Sequence, residues 1–188
     1  MKFTSAITFA TVASAGVVKN ASPLSPLVDA VDKLDDSVRI FAKNPPKVFT
    51  PFFNNALGEG FDPVFGALRQ AGDDFKDSSA QLSKQEAEAL LELFKNVEKE
   101  GKPVLTAFTD TRDAIIKAGA CAYARLYLSM IDNEFQSVTK TVTARVSADY
   151  QHNIQEHAGQ FSGLLRKSAD LFPVDQCGKM KSYLPEME

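Results

Sequence analysis

From Leu24 to Phe41 the apolar residues Leu24, Leu27, Val31, Leu34, Val38 and Phe41 fall at intervals of 3, 4, 3, 4 and 3. A strand reverses its face at every residue and cannot gather such a series on one side, whereas a helix of 3.6 residues per turn lays it out as a single stripe. The pattern recurs along the chain. Phe61, Val64, Phe65, Leu68, Ala71 and Phe75 keep helical spacing. So do Ala87, Leu90, Leu91, Phe94 and Val97 after Ser83-Lys-Gln-Glu86, a capping box that opens a helix. Ala124, Leu128, Ile131, Phe135, Val138 and Val142 continue it, and Tyr150, Ile154, His157, Phe161, Leu164 and Leu165 resume it in a shifted register. No strand-like alternation competes, so the expected fold is all-α, an antiparallel bundle of about five to six helices.

Glycine and proline divide the stripes. Pro45-Pro46 should end the first helix, and Pro51, Gly58 and Gly60 mark a connection. Gly101 interrupts the third stripe, and Pro103 suits the first turn of a new helix carrying Val104, Leu105, Phe108, Ile115 and Ile116 up to Gly119. An unbroken helix over 120–172 would be about 80 Å long at 1.5 Å per residue, too long for a compact domain of this size. A turn is therefore expected at Val146–Asp149, with Ser147 capping the helix that follows.

The two ends speak to destination. Met1-Lys2, a short apolar stretch from Phe3 to Val12 and then Ala13-Ser14-Ala15 read as a secretory signal, residues 1–15, leaving 16–188 as one helical domain with a short C-terminal tail. Asn20-Ala-Ser22 is the one glycosylation acceptor pattern. The polar C-terminus lacks the hydrophobic tail of a lipid-anchor signal. A helical hairpin with two arms of about 26 residues, each roughly 39 Å long, returns Cys121 and Cys177 to the same end. A disulfide is then expected, and closing roughly 56 residues would stabilise the fold by about 4 kcal/mol on a loop-entropy estimate.

Several chemistries are not supported. A net charge of −3 offers nothing to a phosphate backbone, so nucleic acid is not an expected partner. No apolar run reaches the roughly 18 residues of a membrane span. His152 and His157 lie five apart, about 140° around a helix, so they do not make a metal pair, and no metal or cofactor is expected. No nucleophile elbow or glycine-rich phosphate loop is present, which points away from an enzyme. The charged run Glu88 to Lys102 reads as a solvated helix face. More unusual is the stretch Phe41–Phe65, where six of the 14 phenylalanines, including Phe49, Phe52 and Phe53, lie among prolines and glycines. They could cap one end of the core or form an apolar patch or pocket mouth.

Four segments resemble the fungal hydrophobic surface-binding protein A and cell-wall galactomannoprotein family. Leu34-Asp-Asp-Ser-Val-Arg-Ile-Phe41 is similar to its first-helix pattern, and Leu82 to Leu91 to its Leu-Ser helix start. Val104–Phe108 through Ile115–Gly119 resembles the helix that ends in Ala-Gly, and Ala144–Gln151 its late turn, with Ser147 where proline is expected. The likeness spans roughly residues 24–172. It implies a secreted, non-enzymatic helical protein of the extracellular space or cell wall, which adsorbs to hydrophobic surfaces or holds a fatty acid between helices. Phe41, Phe61, Phe65, Phe94, Phe108, Ile131 and Phe135 are the candidate lining, because they sit on apolar faces and aromatic rings can enclose an acyl chain. Arg112 or Lys117 could meet a carboxylate if the site opens toward them. A secreted effector or adhesin that binds a protein partner fits the same composition.

Overall fold

The computed structural model describes residues 24–43, 53–77, 80–117, 119–173 and 176, apart from the side chains of residues 26, 35, 38–43 and 53–61. The leader pattern, Asn20, Phe49, Phe52 and Cys177 lie outside the described residues, as do the side chains of Phe41, Phe53 and Phe61. Five helices follow in order: α1 (Ser25–Lys43), α2 (Phe53–Asp77), α3 (Lys84–Lys117), α4 (Cys121–Thr143) and α5 (Ala148–Asp170). No strand occurs among the described residues.

The helices pack in a ring, α1 on α2, α2 on α4, α4 on α5, α5 on α3 and α3 back on α1. Each apolar stripe thereby faces the same interior. The backbones of α3 and α4, although adjacent in sequence, barely approach each other; α3 finds its main partner in α5 instead.

The starts and stops follow from local chemistry. At the head of α3 the Ser83 N–H and Oγ both donate to Glu86 Oε2 (2.8 and 2.7 Å), and the Glu86 N–H returns a bond to Ser83 Oγ at 3.3 Å. This is the reciprocal capping box. At the end of α3 Gly119 adopts φ 68°, with its N–H on the Ile116 carbonyl and the Ala120 N–H on that of Ile115. These are the paired bonds of a Schellman cap, in which a left-handed residue costs least as glycine.

Three local expectations are corrected. Gly58 and Gly60 do not lie in a connection but inside α2, which also absorbs Pro63. Gly101 and Pro103 do not divide two helices: α3 runs unbroken for 34 residues, about 51 Å. Pro103 lies on the exposed face, where water can take the carbonyl left open by its missing N–H. Gly101 is buried on the opposite face, where a Cβ would stand 2.6 Å from Leu164 Cδ1 and 3.0 Å from Phe161 Cδ2 of α5. Glycine is there for close helix approach. Ser147 does occupy the N-cap position of α5, but its hydroxyl makes no capping bond. That turn is held from outside, by the Leu82 N–H on the Arg145 carbonyl (2.7 Å) and by Arg145 Nη2 on the Phe75 carbonyl (3.2 Å).

Gly101→Val should overpack the α3–α5 contact and destabilise the protein by about 1–3 kcal/mol, measured as a lower urea midpoint with an unchanged slope.

Candidate functional site

All five helices contribute to one small interior cavity. Leu27, Ala30, Val31 and Leu34 come from α1, Val64 and Leu68 from α2, Val97 from α3, Ile131 and Phe135 from α4 and Phe161 from α5. The lining is wholly apolar and the cavity measures about 20 Å³. Ligand pockets are typically about 300–1,000 Å³, so an acyl chain enters here only if the helices move apart.

Phe135 is the hinge of this interior. Its ring lies 5.6 Å from that of Phe94 and 4.8 Å, edge-on, from that of Phe161, joining α3, α4 and α5. The separations and tilts are those at which aromatic quadrupoles attract.

Only part of the expected lining comes together. Ile131 and Phe135 line the cavity, and Phe94 backs it through Phe135. Phe65 is buried but pairs with Tyr127, ring centroids 6.1 Å apart, outside the lining. Burial, followed by the charges of Asp62 and Tyr123, holds the Tyr127 phenol above its ordinary pKa. Phe108 is buried against Phe172, 6.0 Å away, and the side chains of Phe41 and Phe61 are outside the description. The aliphatic stripe of α1 also lines the cavity; Leu27, Val31 and Leu34 are visible in the sequence but not distinguishable there from ordinary core.

Arg112 is already committed. Its Nε donates to the Leu171 carbonyl (3.0 Å) and Nη2 to Gln176 Oε1 (2.6 Å), so it anchors the chain beyond α5 rather than waiting for a carboxylate. Arg125 Nη1 donates to the Phe172 carbonyl at 3.3 Å. Lys117 is exposed in the last turn of α3. His152 is exposed, and half-buried His157 pairs through Nδ1 with Glu98 Oε2 at 2.5 Å. No group of metal-ligating side chains is found among the described residues.

Outside the ring, the seam between α4 and α5 forms an open groove of about 310 Å³, lined by Gln136, Thr139, Lys140 and Thr143 of α4 and by Gln155, Ala158, Gly159, Ser162 and Arg166 of α5. Thr139 and Thr143 are buried, and their hydroxyls donate to the carbonyls of Phe135 and Thr139 in their own helix. At one end Arg166 Nε donates to Oδ2 of buried Asp132 at 2.9 Å.

No family model matches the sequence, and no curated protein is similar to it in sequence. Solved structures are similar in fold. Ligand-binding domain 1 of Penicillium marneffei MP1, complexed with arachidonic acids, superposes with a TM-score of 0.64 at 14% identity, covering 81% of this chain and 100% of that one. Domain 2 of the same protein, complexed with multiple arachidonic acids, gives 0.65 at 15% identity over 83% of this chain and 99% of that one. AfMP4p in complex with palmitic acid gives 0.65 at 10% identity over 81% and 100%. The fold is shared with these domains.

Phe135→Ala removes the ring that joins three helices and should cost about 3–5 kcal/mol of stability, read by chemical denaturation.

Proposed function

We propose that this chain is a secreted, non-enzymatic carrier that takes a long-chain fatty acid between its helices. The observation that carries the reading is the wholly apolar cavity at the convergence of all five helices. An aliphatic chain needs no directional partner, and a ring of helices that touch through side chains can widen around it. The structural neighbours were solved with arachidonic and palmitic acids, which supports the same class of ligand.

Among the described residues Leu126 is the one large apolar side chain that stands exposed. No described helix is long and apolar enough to cross a membrane. Secretion rests on the leader pattern of residues 1–15. It accords with an oxidised pair: Cys121 is buried and is not a free thiol.

Titration with a fluorescent long-chain fatty acid should show saturable uptake by the wild type. Ala30→Val, which adds two methyl groups at the cavity wall, should weaken uptake at least about tenfold while circular dichroism stays helical, a loss of about 1.4 kcal/mol. Absence of saturable uptake with strong retention on a hydrophobic solid would replace the internal site by surface binding. Non-reducing peptide mapping should recover Cys121 and Cys177 in one cross-linked fragment, and two alkylatable thiols in freshly secreted protein would refute the pair.

A further inference from the structure

The cavity and the α4–α5 groove lie back to back at one level of the bundle. On α4, Ile131 and Phe135 line the cavity, while Asp132 and Gln136, each the next residue, lie at the groove; on α5, Phe161 lines the cavity and Ser162 the groove. One helix seam separates a wholly apolar space from a polar one, and packed helix axes stand only about 8–10 Å apart. An amphiphile needs that juxtaposition.

The groove side of the seam has few polar ties across it, and opening it requires the Phe135–Phe161 ring contact behind it to yield. Thr139 and Thr143 satisfy their hydroxyls within α4, so separating the helices orphans neither. The one side-chain hydrogen bond from α4 to α5 among the described residues is that from Arg166 to Asp132. Asp132 Oδ1 is buried with no partner, so the carboxylate spends one oxygen on Arg166 and holds it through Nε. Arg166 has no other partner among the described residues and is 63% exposed, which leaves both terminal nitrogens of its planar fork for an incoming anion.

We propose that the Arg166 end of the groove, with Gln136 and Ser162, holds the carboxylate of the fatty acid, whose chain passes between α4 and α5 into the interior. This rests on the acyl-chain reading above and adds where the head sits. Asp132 is a positioning residue: it orients Arg166 and does not touch the ligand.

The test is displacement of a bound fluorescent fatty acid by palmitate and by hexadecanol, which share a chain and differ in the charged head. Wild type should prefer palmitate about tenfold, the scale of one charge-assisted contact. Arg166→Gln should abolish that preference through loss of palmitate affinity alone, and Lys167→Gln, which removes the same charge from the neighbouring exposed position, should retain it. If Arg166→Gln fails to fold because buried Asp132 loses its partner, Arg166→Lys keeps a cation there without the fork and should still lower the preference. Wild type that binds both ligands equally, or Arg166 variants that keep the preference, would overturn the head site while leaving acyl binding intact. Wild type that binds neither would remove both readings.

Discussion

Phe135 between Phe94 and Phe161 is the contact on which the arrangement depends. It ties α4 to α3 and α5, and the close α3–α5 approach that brings Phe161 inward is permitted by the missing side chain at Gly101. At the cavity α1 and α2 then complete the ring with smaller aliphatic residues. The interior is consequently uneven, with aromatic rings along one side and Leu, Val and Ala on the other. Interlocked rings lose much when displaced, whereas aliphatic contacts can be exchanged for those of another aliphatic chain.

The helices were legible because the signal that makes them is local. The intervals along Leu24–Leu34 and Ala124–Val142 record the pitch of a helix whatever it packs against, and the capping box at Ser83 closes within four residues. Glycine and proline misled at Gly58, Gly60, Gly101 and Pro103, because local propensities of about 1 kcal/mol for glycine and about 3 for proline do not decide a helix alone; at Gly101 the close packing of α3 on α5 outweighs them. At Ser147 the position of the cap was readable but its bond was not, since the turn is secured by Leu82 and Arg145 across sequence separations that no local pattern records.

The site was less legible than the fold. Large aromatic residues drew attention, yet an interior is defined by where several stripes converge, and convergence is a property of the ring order α1, α2, α4, α5, α3. Neither Leu27 nor Val97 carries any mark of its own. The same holds for Arg166: in sequence it is one exposed cation beside Lys167, and only the register of α4 against α5 sets it over Asp132.

The arginines at the end of α5 give the molecule a measure of length. α4 and α5 are joined covalently through residues 144–147 at one end, and at the other Arg125 holds the Phe172 carbonyl while Arg112 holds that of Leu171. Between the turn and Arg125 lie some 18 residues of α4, about 27 Å of helix. A seam fastened at both ends can open only between them, where the Phe135–Phe161 contact lies, and does not splay from a tip. Any chain that entered by the route proposed above would therefore meet a limit of length set by these two fastenings as well as one of polarity.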